Sequence, residues 1–139
     1  MEYRKAGIGD IGSLADLRSD QIVQEGGSLC ADIVDELKKQ FENEISGDMI
    51  TILAAFEDER MIGMAGYSLT GSRAYITNVY VRADHRREGI ASRLMDMLAD
   101  DAAACGCEIM CLHATEQGRR LYEKTGFTDR GGLMIKSLK

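Results

Sequence analysis

The sequence predicts an α/β fold of three layers: a mixed, mostly antiparallel central sheet of six to seven strands, with helices on both faces. Three observations predict it. Short apolar and β-branched runs outnumber the helices that could serve as crossovers, so the sheet has to be mixed. Two of those runs, "MITILAAFE" and "MIGMAGYSL", are separated only by Asp58, Glu59 and Arg60, which is hairpin spacing. With 139 residues and no repeat, linker or low-complexity tract, the chain makes one domain, residues 1–139.

The elements follow in order. Residues 2–6, "EYRKA", read as a short strand. Asp10 suits a helix N-cap, and Ile11, Leu14 and Leu17 follow at helical spacing until "EGGS" (25–28) breaks the helix. "EGGS" is also a lid candidate. Ile33, Leu37, Phe41 and Ile45 recur every four residues, which predicts a second amphipathic helix over 31–46, closed by "SGD". The hairpin comes next, and then "AYITNVYV" (74–81) as a third strand of that group. A helix runs from about Gly89 to Cys105, with Ile90, Leu94, Leu98, Ala102 and Cys105 on one face and Gly106 just past its end. "EIMCLHA" (108–114) reads as a buried strand, "EQGRRLYEKTG" as a short helix, and "GGLMIKSL" as the last strand.

Composition narrows the function classes. Net charge is −6, which disfavours a nucleic-acid binder. No run reaches the roughly 18 apolar residues of a membrane span, and the start lacks the apolar core of a signal peptide, so a soluble, cytoplasmic protein is expected. Four cysteines (Cys30, Cys105, Cys107, Cys111) in such a chain read as thiols rather than disulfides. Their spacing contains no C-x-x-C pair. Cys105 falls on the apolar helix face and Cys111 in the buried strand, so small core hydrophobes are expected and no metal.

One local stretch departs from the acidic average. Between Arg82 and Arg93 stand four arginines, Arg82, Arg86, Arg87 and Arg93, against Asp84 and Glu88. A strand ends there and a helix opens at Gly89. A helix N-terminus offers unpaired N–H groups and a partial positive charge, and a glycine lets an anion approach the backbone. The pattern suits a pyrophosphate as well as a solvated basic turn. G-x-G-x-x-G and G-x-x-x-x-G-K are both absent, so a dinucleotide or nucleotide-triphosphate loop fits poorly.

"VYVRADHRREGIASRLM" resembles motif A of the GNAT superfamily of N-acetyltransferases, R/Q-x-x-G-x-G/A, here Arg86-Arg87-Glu88-Gly89-Ile90-Ala91. Downstream, "LHATEQGRRLYEKTGF" is similar to that superfamily's next strand and helix, where L-Y-x-x-x-G-F is common. The element order matches along essentially the whole chain. The resemblance implies acetyl-CoA as donor, with no metal, and acetyl transfer to a primary amine of a small molecule or peptide through a ternary complex. It implies that the pyrophosphate rests on main-chain amides from Arg86 to Ser92, and that the pantetheine arm pairs with Val79, Tyr80 and Val81. It makes Tyr122 the acid that protonates the leaving thiolate, and a main-chain N–H near Tyr80 or Val81 the oxyanion donor. Thr115 stands where many members carry a cofactor-holding asparagine. Ala83 and Arg120 stand where proline is common. A homodimer is frequent in the family; no feature of this sequence fixes one.

The general base stays open. Strand alternation puts Ile76, Asn78 and Tyr80 on one face, and some members carry a glutamate near Asn78; an amide there would work through water. Glu116 and His113 are the other candidates, with a buried, satisfied ring the plainer expectation for His113. The acceptor pocket is expected from residues 20–30, the strand 74–80 and the loop after 108–114. The competing readings are a CoA-binding sensor without turnover and a transferase of a longer acyl group.

Overall fold

The computed structural model describes residues 1–116 and 118–139. Seven strands form one sheet: β1 (Glu2–Lys5), β2 (Thr51–Glu57), β3 (Arg60–Thr70), β4 (Arg73–Val81), β5 (Ile109–His113), β6 (Thr128–Arg130) and β7 (Leu133–Ser137). Four α-helices are interleaved with them: α1 (Ile11–Gln24), α2 (Ile33–Ser46), α3 (Ile90–Ala104) and α4 (Arg119–Lys124). The strand order is β1-β2-β3-β4-β5-β7-β6, and only β4 and β5 run parallel. The expected mixed sheet is therefore present. β6, only three residues and exposed throughout, has no apolar run to announce it.

Two apolar layers flank the sheet. On one face α3 packs Ile90, Leu94, Leu98 and Ala102 against Ile62, Ala65, Ile76, Val81, Met110 and Leu112. On the other, Leu14 and Leu17 of α1 and Phe41 of α2 meet Ile52, Ala54, Met61, Met64 and Tyr80. α3 begins after Gly89 and ends on Gly106, whose φ is +87°. The Cys107 N–H reaches the Ala102 carbonyl and the Gly106 N–H the Ala103 carbonyl, the pair of bonds that closes a helix on a left-handed glycine.

Three local expectations change. Asp10 precedes α1 without bonding its first turn. Its carboxylate instead accepts from the Gly7 N–H (2.8 Å) and from both outer nitrogens of Arg4 (3.0 Å each), which engages both of its oxygens away from α1. Cys105 is exposed at the end of α3 rather than on its apolar face, while Cys111 is buried as expected. Finally, β4 does not alternate along its whole length. Tyr80 pairs with Met64 and Thr77 with Gly66, so Asn78 and Val79 together oppose Ala65. Asn78 takes up the extra residue in a left-handed conformation, φ +57°. Hence Ile76 faces α3 and Tyr80 faces α1, and they do not share a face with each other.

Candidate active site

The sheet opens where β4 and β5 part. They pair only through Arg73–Ile109, Ala74–Met110 and Tyr75–Cys111. Beyond Tyr75 the edge of β4 has no strand beside it, and the bulge at Asn78 bends it further away. The gap is a cleft of about 390 Å³. Its floor is Ile76 to Val81; Leu112, His113 and Thr115 form one wall together with Leu121 and Tyr122, and the end of α1 forms the other.

Two main-chain carbonyls on this open edge are already engaged from the cleft side. Gln21 Nε2 donates to the Val79 oxygen (3.2 Å), and Arg86 Nε donates to the Val81 oxygen (3.2 Å). Gln21 is buried, held by Arg18 on its Oε1 (2.9 Å), and its Nε2 also reaches the Glu25 carboxylate (3.3 Å). A polar side chain buried at an inter-strand gap satisfies main chain that a sheet partner would otherwise satisfy. Gln21 follows Leu14 and Leu17 on the buried stripe of α1, and that break in an apolar stripe was its signal in the sequence.

At the upper end of the cleft lies the basic turn. Gly89 sits at φ +77° and Arg87 at φ +66°, so two of three successive residues take left-handed backbone. The first intrahelical bond of α3 runs from the Arg93 N–H to the Gly89 carbonyl, and no side chain caps the helix. The amides ahead of Arg93 are thus left for another acceptor. The four arginines divide. Arg82 is tied to Asp20 (2.7 Å) and to the Met61 carbonyl (3.0 Å), and Arg93 lies over the Tyr3 ring (5.8 Å). Arg86 and Arg87 remain exposed at the turn, Arg86 with its guanidinium 5.6 Å from the Tyr80 ring. Ile90 is buried and Ala91 half-buried in the cleft wall; Glu88 and Ser92 flank the turn without lining the cleft.

Tyr122 closes the other end. Its ring meets Phe127 edge-on (5.8 Å between centroids), and burial, aided by the Glu25 carboxylate, pushes its hydroxyl up to about 12. The Thr115 hydroxyl accepts the Gly118 N–H (3.1 Å), so it caps the turn into α4 while also lining the cleft. His113 is exposed, not buried: it lies at the diverging end of β5, with Nδ1 2.7 Å from the Tyr75 hydroxyl. Glu116 is exposed and outside the cleft walls. Asn78 lines the cleft and donates to the Thr77 hydroxyl (3.3 Å). Among the described residues no cluster of three or more potential metal ligands occurs, and no helix is long and apolar enough to cross a membrane.

Residues 15–127 match the model of the acetyltransferase (GNAT) family. The chain belongs to that family. A predicted acetyltransferase from Clostridium acetobutylicum, solved with acetyl-CoA, is 31% identical to this acetyltransferase over 94% of this chain and 91% of its own, with TM-score 0.83. The PaiA N-acetyltransferase of Thermoplasma acidophilum, in complex with coenzyme A, superposes with TM-score 0.81 over 98% of both chains at 22% identity. An aminoglycoside 6′-N-acetyltransferase complexed with coenzyme A does so with TM-score 0.82 at 16% identity, covering 100% of this chain and 98% of its own. At those two identities the likeness is one of fold. No curated protein sequence matches the chain.

Proposed function

We propose that this acetyltransferase moves the acetyl group of acetyl-CoA directly to a primary amine. The single observation that carries the reading is the open β4 edge leading from an uncapped helix start to Tyr122, all in one cleft. Main-chain amides between Arg86 and Ser92 would hold the pyrophosphate, with Arg86 and Arg87 adding charge. The pantetheine arm would lie along Val79, Tyr80 and Val81, replacing the side-chain donors that Gln21 and Arg86 now offer there. In this arrangement the thioester would lie between the β4 bulge and Tyr122. A main-chain N–H at Tyr80 or Val81 would stabilise the oxyanion, and Tyr122 would protonate the departing thiolate.

The acceptor enters from the α1 side. Gln21, Gln24 and Glu25 form that wall, and Glu25 is the carboxylate among the cleft's described lining residues. A carboxylate at the mouth of an active site favours a cationic amine over a neutral or anionic acceptor. The test is a screen of primary amines (a polyamine, an aminoglycoside, a peptide with a free N-terminus) with acetyl-CoA and detection of released thiol. Thiol release that depends on the amine supports transfer. Binding of acetyl-CoA with no release across the panel would favour a sensor, and faster release from propionyl- or succinyl-CoA would favour a longer acyl group.

A further inference from the structure

The geometry points to His113 as the group that takes the proton from the acceptor ammonium, with Tyr75 as the residue that positions its ring. The inference rests on the transferase reading above. His113 is the last residue of β5, placed where the two parallel strands have separated, and it lines the cleft with Tyr122. Its Nδ1 is fixed at 2.7 Å from the Tyr75 hydroxyl, across the last β4–β5 residue pair but one side chain further out. The rings stand 5.9 Å apart, tilted by 57°. His113 is exposed and lines the cleft, with one nitrogen held and Nε2 without a partner among the described residues. When Nδ1–H donates to the Tyr75 oxygen, Nε2 carries the free lone pair and can accept a proton.

The other groups around the cleft suit this less well. Asn78 has an amide, which is not basic, and Glu116 lies outside the walls. Glu25, just past the end of α1, is bonded to Gln21 Nε2, and its charge suits attraction of the ammonium. The titratable and charged groups sharing the space with His113 are Tyr75 and Tyr80 on β4, Glu25 just past α1, Tyr122 on α4, and Arg86 in the turn ahead of α3.

The steps balance. His113 Nε2 takes one proton from the ammonium and later passes it to solvent. The neutral amine attacks the thioester carbonyl carbon, and the C–N bond forms. The C–S bond breaks, the thiolate takes the Tyr122 proton, and the phenolate recovers a proton from the new amide nitrogen. One amide, one thiol and one released proton result.

The experiment separates base catalysis from structural support by changing the nucleophile. Wild type, His113→Gln and Tyr75→Phe are compared on acetyl-CoA with the best amine of the panel and with hydroxylamine, which is already unprotonated at neutral pH. Loss of the base should cost H113Q about 100-fold in kcat/KM with the alkyl amine, the low end of what general base catalysis contributes, and leave hydroxylamine turnover near wild type. Raising the pH should restore the amine reaction. Y75F should show the same pattern, more weakly. Equal losses with both nucleophiles, or an H113Q pH profile identical to wild type, overturn the role of His113. If wild type releases no thiol with either nucleophile while binding acetyl-CoA, the transferase reading itself fails and the inference falls with it.

Discussion

Tyr122 is the residue on which chemistry and packing meet. Its hydroxyl, pushed up to about 12, stays protonated throughout the neutral range, which is what an acid for a thiolate requires. Tyr122→Phe keeps the ring against Phe127 and removes only the proton. It should leave acetyl-CoA affinity unchanged and lower kcat by about 100-fold, measured by steady-state thiol release beside calorimetric Kd; unchanged turnover with a good acceptor removes the assignment. Gly118 tests the same residue from behind. A Cβ there would lie 3.0 Å from Tyr122 Cε2 and 3.3 Å from the Thr115 hydroxyl, in a backbone (φ −86°) that alanine adopts freely. Gly118→Ala should therefore fold, bind acetyl-CoA, and lose about tenfold in kcat as the ring is displaced. A wild-type kcat would mean that the ring moves without consequence. The place of Tyr122 at the cleft was legible in the sequence because L-Y-x-x-x-G-F is a contiguous pattern. Glu25 fell inside the stretch 20–30 expected at the acceptor pocket, but nothing local singled out its carboxylate from the other acidic residues of an acidic chain. His113 misled because "IMCLH" reads as a strand buried to its end, while the parting of β4 and β5 that exposes it depends on pairing, not on composition.

At the scale of elements, the turn between β4 and α3 is held by an ion-pair bridge. His85 lies between Asp84 (Nδ1, 3.0 Å) and Glu57 at the end of β2 (Nε2, 3.1 Å), with only 13% of its side chain exposed. The hydrogen bond to Asp84, then the neighbouring charges, raise the imidazole above its ordinary 6.5, and the same bond lowers Asp84 below 3.8. The two signs differ. A raised histidine stabilises the fold fully below its unfolded value and loses that contribution as pH rises through its folded one; a lowered carboxylate stabilises above its unfolded value and loses it as pH falls. The bridge should be strongest between those limits, in mildly acid solution. His85→Ala should lower Tm at about pH 5.5 and progressively less as the pH is raised into the alkaline range and the wild-type ring loses its proton. A difference in Tm that does not change with pH would mean that the ring acts only by packing. The glycine and arginines of this turn were legible because they are adjacent in the chain. The bulge in β4 was not. A lone Asn in a β-branched strand, tolerant of φ +57°, was its one trace, and strand alternation drawn through it put Ile76 and Tyr80 on the same face.

The whole molecule is a sheet with a weak seam. β1 to β4 form one continuous antiparallel run, and β5, β7 and β6 form another. Three residue pairs join them, and the halves also share one apolar layer under α3, to which Met110, Leu112, Phe127 and Met134 belong together with Leu94 and Leu98. Among the described residues, the side-chain hydrogen bonds to the open edge of β4 come from Gln21 and Arg86 and reach its carbonyls, so its amides should exchange with solvent faster than those of β2 or β3. A ligand lying along that edge from the basic turn to Tyr122 would contact both halves and act as the missing strand. Coenzyme A at 100 times its Kd adds about 2.7 kcal/mol of stability by mass action, which for a chain of this size is a rise of roughly 10 °C in Tm. Mass action alone would raise protection wherever exchange needs global unfolding. A ligand that fills the seam should do more: residues 76–81 and the amides from Arg86 to Ser92 should slow beyond the increase seen in β2, measured by hydrogen exchange with and without coenzyme A. A Tm rise with protection spread evenly over the sheet would place the ligand elsewhere, because only occupancy of the gap gives this edge hydrogen-bond partners that the fold itself withholds.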